Sequence, residues 1–262
     1  MITAAESNTD AVSAEQRLRY LLRLADTSLV LGQRLSEWVG HAPTLEEDLA
    51  LGNITLDLIG QARLLLAYAA QVEGRGRDED QLAFLRDAAE FCNVSLAEQP
   101  NGDFGQTIVR QVLLDAWQVE LYQSLVGSTD AQLASIAAKA MKECRYHWRF
   151  SCGWLVRLGD GTKESHARVQ AALDGLWRFT GELLTPDALD AHMASHGIAP
   201  PLAAIRSRWE ARIDAALEQA TLRRPPPAYF PWHGKRGVHT EHLGHLLAEM
   251  QHLQRVHPGA TW

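Results

Sequence analysis

Residues 131–158 read AQLASIAAKAMKECRYHWRFSCGWLVRL. Taken at the three-four spacing of one helix face, the stretch gives Ala137, Ala140, Cys144, His147, Ser151, Trp154 and Leu158. A buried stripe is normally apolar, and this one carries a thiol and an imidazole one turn apart at its middle. Three earlier stretches read the same way. Helix one, predicted over 14–39, presents Leu18, Leu22, Ala25, Leu29 and Gly32. Helix two, predicted over 44–72, presents Leu51, Ile54, Leu58, Gln61, Leu65 and Tyr68. Helix three, predicted over 104–126, presents Ile108, Val112, Asp115, Val119 and Tyr122. Four such helices, three of them with polar residues at one level, describe a bundle that holds, or once held, a metal centre.

The rest of the chain is also helical in pattern. A shorter helix is expected over 78–91, a fifth long one from the Thr162 cap to Leu184, and a short one after Thr185-Pro186. Another is expected over 201–222, and a last one from the Thr240 cap to Gln254. Pro225-Pro226-Pro227 forces an extended link before it. No run alternates long enough for a strand, so the expected class is all-α: an antiparallel helical bundle with additional C-terminal helices. Residues 1–13 are read as a disordered tail and 14–262 as a single domain.

Composition narrows the function. Charged residues make up 22% of the chain and the formal net charge is −7, which argues against nucleic-acid binding. Three scattered cysteines without a C-x-x-C pair fit a reducing cytoplasm. No apolar run approaches the roughly 20 residues of a membrane span, and the polar N-terminus does not read as a secretion signal. The expectation is a cytoplasmic protein with no membrane partner.

Carboxylate-bridged di-iron bundles take a Glu from each of two helices and Glu-x-x-His from each of the other two. The corresponding positions here are Leu29, Leu58, Gln61, Asp115, Cys144 and His147. Leu29 and Leu58 donate nothing, and one carboxylate with one imidazole cannot neutralise two irons. Glu143 is expected to point off the seam, because a helix turns about 100° per residue. Asp115, Gln61 and His147 are expected to be buried within hydrogen-bonding reach of one another, directly or through a water, as a satisfied polar cluster. No cofactor is expected in this chain.

Near the C-terminus, His242, His245, Glu249 and His252 fall at spacings of three, four and three. Glu249-x-x-His252 matches the metal half-motif by letter, but no second half-motif faces it, so the row is read as a surface or interface stripe. Trp38, Tyr229, Phe230 and Trp232 are candidate anchors for a partner. Leu24, Leu31 and Leu35 form a second apolar strip available to one. Arg206, Arg208, Arg212, Arg223, Arg224, Lys235 and Arg236 gather late in an acidic chain, with Arg223 and Arg224 as candidate docking residues for an acidic surface.

Three segments carry a family resemblance: LADTSLVLGQRLSEWVG (24–40), YHWRFSCGWLVRLGDGTKESHARVQ (146–170) and GKRGVHTEHLGHLLAEMQHLQRV (234–256). They resemble the PaaC family of bacterial phenylacetyl-CoA epoxidase components. The resemblance implies a ferritin-like fold and a structural, non-catalytic subunit. It also implies a di-iron centre in a related catalytic partner, PaaA. PaaB and a flavin and iron–sulfur reductase would make up the rest of the enzyme. The competing readings are a stand-alone ferritin-like di-iron oxidase with altered ligands and a helical thiol or acyl-CoA binding module.

Overall fold

A computed structural model describes residues 11–228 and 233–260 of the chain. Tyr229, Phe230 and Trp232, and residues 1–10 of the expected tail, lie outside the described residues. Ser13, assigned above to the tail, is already structural. It caps α1 (Ala14–Ser36) through a reciprocal capping box with Gln16.

Four long helices form the bundle. After α1 come α2 (Leu45–Glu73), α4 (Phe104–Leu125) and α5 (Ala131–Gly159), with the short α3 (Glu79–Phe84) between the two halves. Helix α2 ends at Gly74, whose φ of +66° is the left-handed cap that glycine permits. Asp103 and Asp130 cap α4 and α5 by accepting from the backbone N–H three residues on. Helix α1 packs along α2 and α4 along α5, and α2 against α5 joins the pairs. Around them lie α6 (Lys163–Leu176), α7 (Thr180–Leu184), α8 (Ala188–Ser195), α9 (Leu202–Gln219), α10 (Glu241–Met250) and α11 (His252–Val256). Among the described residues there is no strand, and His233 and Val238 make one isolated bridge.

Several predicted helices are broken, each by a residue that the core takes in. The predicted helix over 78–91 stops at Phe84 because Arg86 turns inward to Asp26, and one 3₁₀ turn follows at Ala88–Glu90. The predicted fifth helix is interrupted at Trp177–Phe179. Trp177 and Phe179, two positions apart, are both buried, which a single α-helical face does not allow. The last helix breaks at Gln251, whose buried amide donates to the carbonyls of Ala83 and Arg86 at 3.1 and 2.9 Å. Gly159 closes α5 against α9, since a Cβ there would stand 2.3 Å from the Ala220 carbonyl oxygen.

Helix α1 is buried on nearly every side from Tyr20 to Leu35, so Leu24, Leu31 and Leu35 belong to the chain's own core and not to a free second strip. The same burial takes in Arg23 and Arg34, which the stripe places outside. Arg23 pairs with Asp187 and Asp190, and Arg34 donates to Glu37 and to the Glu98 and His242 carbonyls. What covers α1 is an irregular segment, 91–99, that is itself wholly buried. Such a segment needs partners for its backbone. Asp26 accepts from Cys92 N–H at 2.8 Å, Thr27 Oγ1 from Val94 N–H at 3.2 Å, and Glu182 from Ser95 N–H at 2.7 Å. The fully buried Glu98 in turn accepts from His239, Thr240 and Asn93, tying the start of α10 to this segment.

Helix α2 departs from the expectation that no segment approaches a membrane span. By length and composition it is apolar enough to cross one, yet it packs on α1 and α5, and 44% of its most apolar stretch is buried. It is apolar on its outer face as well as its inner one.

Asp26 is the test of this architecture. It is fully buried, pairs with the buried Arg86 and holds segment 91–99 through Cys92 N–H. Asp26→Ala leaves a buried guanidinium unneutralised and is expected to cost about 3–5 kcal/mol in urea unfolding. A loss under about 1 kcal/mol, the range of an exposed pair, would contradict the assigned role.

Candidate functional site: the polar seam of the bundle

The mid-bundle positions converge as their spacing predicts. Leu29, Leu58, Gln61, Asp115, Cys144 and His147 are all buried. Leu29 and Leu58 place hydrocarbon where a metal site needs oxygen donors. Asp115 on α4 accepts a hydrogen bond from the Ser151 hydroxyl of α5 at 2.7 Å. His147 Nε2 lies 3.0 Å from Asp57 Oδ2 across the α2–α5 contact. One turn away, Gln61 Nε2 donates to Glu143 Oε2 at 2.9 Å.

Asp115, Gln61 and His147 are buried together, and each is held directly by a different neighbour: Ser151, Glu143 and Asp57. One expectation is corrected. Glu143 does not leave the seam; it turns along the α2–α5 groove to meet Gln61. Asp57, adjacent to Leu58, is the residue that the stripes omit. The sequence does carry a trace of it, because Asp57 and Gln61 are four apart, as are Glu143 and His147. In an antiparallel helix pair these two i,i+4 ladders meet rung to rung.

Burial raises both the thiol and the buried carboxyl of the seam. Burial pushes the Cys144 thiol well above its usual range, and the nearby Asp115 and Glu143 carboxylates push it further. Both effects favour the neutral thiol over the thiolate that acts as nucleophile or metal ligand. Burial raises Asp115 to about 6, against the opposing pull of His147 and Ser151. Asp115 Oδ1, His147 Nδ1 and Gln61 Oε1 are buried and have no protein hydrogen-bond partner. Among the described residues no three His, Cys, Asp or Glu side chains come together as a metal would require. A di-iron centre does not fit this donor set, and no chemistry is derived through one.

The other candidates stand elsewhere. Trp38 is half-buried in the chain's own packing; its Nε1 donates to Thr107 Oγ1 at 3.0 Å and its ring meets Phe104 edge-on. Arg224 pairs with Asp214 at 2.9 Å and lies over the Trp177 ring, while Arg223 is exposed and its backbone N–H donates to Gln170. Arg208 and Arg212 both grip the buried Glu120. Lys235 pairs with Asp190, so much of the late basic cluster is neutralised within the chain. His245, Glu249 and His252 are exposed, with His252 beyond the break at Gln251, and His242 is partly buried.

The family described as "Phenylacetic acid catabolic protein" matches residues 1–262. The chain belongs to this family. Within it, the chain is similar to the C subunit of the 1,2-phenylacetyl-CoA epoxidase of Escherichia coli (strain K12), 55% identical over 247 residues that cover 94% of this chain and 99% of that protein. In this member of the family the bundle keeps a polar seam in which Asp115, His147 and Gln61 are each held by a side chain of the facing helix.

The seam makes a signed prediction. The folded chain holds a proton on Asp115 between its ordinary value of 3.8 and about 6, where the unfolded chain has released it. Its contribution is therefore fully present below about pH 4 and is lost as pH rises through 6. Asp115→Asn keeps an acceptor for Ser151 and never ionises. Its stability relative to the parent should rise by roughly 2–3 kcal/mol between pH 4 and pH 7.5, read from urea unfolding at both. A difference independent of pH would refute the buried, protonated carboxyl.

Proposed function

We propose that this chain is the non-catalytic structural subunit of a multicomponent oxygenase that epoxidises the aromatic ring of phenylacetyl-CoA in phenylacetate catabolism. It stabilises a catalytic partner, PaaA, which carries the di-iron centre. PaaB and a reductase make up the rest of the cytoplasmic assembly.

The observation that carries the reading is the use of the seam's donors. Leu29 and Leu58 are hydrocarbon, and Asp115, His147 and Gln61 are engaged by Ser151, Asp57 and Glu143. A bundle of full length without metal donors retains its architecture for another reason, and association is sufficient. The high identity to a protein named as one subunit of an epoxidase supports the same assignment.

The test is to express the di-iron subunit of the same operon with and without this chain. Oxygenase activity and complex size are then measured. The chain is expected to be required for activity and to elute in a larger complex. A fully active catalytic partner in its absence would overturn the proposal.

A further inference from the structure

The outer face of α2 is a row of leucines that none of the described residues covers. Leu45, Leu49 and Leu56 are 71%, 60% and 68% exposed, and Leu64 is 37% exposed. They are spaced by four, seven and eight, so they follow one side of the helix. Gly52 and Gly60 share that side, and a Cβ built at either would meet nothing within 4 Å. The row is thus open enough for another backbone to approach closely.

Beside it runs a second feature. Lys139, Lys142, Arg145 and Arg149 are exposed along α5 at spacings of three, three and four. None has an ion-pair partner among the described residues, in contrast to Arg208, Arg212, Arg224 and Lys235. The acids nearest the ridge are committed elsewhere: Glu143 faces Gln61, and Asp57 faces His147. Those same two contacts fix the antiparallel register. Leu56 stands across from the turn that carries Tyr146 and Arg149, and Leu64 across from Lys139 and Lys142.

We propose that the joint outer face of α2 and α5 docks an acidic helical surface of another protein subunit. Its apolar row covers the α2 leucines, and its carboxylates meet the α5 ridge. This rests on the reading of the chain as a member of an assembly. Charge complementarity selects the occupant. A continuous ridge of unpaired cations in a chain of net charge −7 favours an acidic partner over a second copy, which would bring the same ridge against itself. The dimensions suffice. Each helix has 29 residues, about 43 Å at 1.5 Å per residue. A strip about 15–20 Å wide along that length offers roughly 650–860 Å² per partner, in the range of stable interfaces.

The experiment uses the full chain and the di-iron subunit of its own enzyme. Two variants confined to exposed positions are made, Lys142→Glu/Arg145→Glu/Arg149→Glu and Leu49→Asp/Leu56→Asp, and each is checked for unchanged helicity. Association is followed at about 0.02 M and about 0.5 M salt. The charge reversal is expected to slow association by about tenfold or more at low salt, with the difference shrinking at high salt. The leucine variant is expected to weaken the complex by about tenfold or more, mainly through faster dissociation. If the parent chain binds and both variants bind equally well, this face is not the dock, and the reading as a member of an assembly stands. If the parent chain does not bind at all, that reading fails and the dock with it. The proposal is also overturned if heterocomplex formation is unchanged while the leucine variant dissolves a homodimer, or while the charge reversal abolishes binding to vesicles rich in phosphatidylserine.

Discussion

A carboxylate carried into a helical core costs several kcal/mol unless a donor meets it. This bundle carries in Asp26, Glu98, Asp115, Glu120 and Glu182, and its shape follows from how each is met. Asp26 and Glu182 hold the irregular segment 91–99 against α1 by accepting from its backbone. Glu98, on that segment, secures the entry to α10. Glu120 gathers two arginines of α9 onto α4. The surrounding helices are bound to the central bundle through these buried acids as well as through apolar packing.

The same constraint decides the chemistry. A bundle that holds metals leaves its carboxylates free to bridge ions, whose charge offsets their burial. Here Asp115 is met by the Ser151 hydroxyl and holds its proton up to about pH 6, and the groove acids Asp57 and Glu143 are met by an imidazole and an amide from the facing helix. These pairs lock α2 to α5 in one register. The outer face that this register creates, leucines on one helix and cations on the other, is the surface assigned above to a partner.

How much was legible in the sequence follows from what periodicity can detect. The stripe of α2 holds in the structure because that helix buries a defined side, whereas α4 is buried all round from Thr107 to Tyr122 and its stripe is part of a wholly enclosed helix. That of α5 holds through Ser151, after which Leu155 takes the buried position. Helix α1 is buried almost all round, so its stripe is real but places Arg23 and Arg34 wrongly. Asp57 and Glu143 lie one residue off their stripes, in the groove between two helices, and only the pairing of two i,i+4 ladders reveals them. The late basic cluster is conspicuous in one dimension, but partners such as Glu120 and Asp190 are distant in sequence. The α5 ridge is hidden in one dimension because core residues interrupt it at every turn. Breaks at Gln251 and at Trp177–Phe179 depend on tertiary burial that local propensity does not encode.

The most direct measurement is an anaerobic titration of the purified chain with ferrous iron, followed by calorimetry and by metal analysis after desalting. Hydrocarbon at Leu29 and Leu58, and donors each held by a neighbour on the facing helix, predict no saturable high-affinity site and no iron retained. Two tightly held irons per chain would contradict the account at its centre.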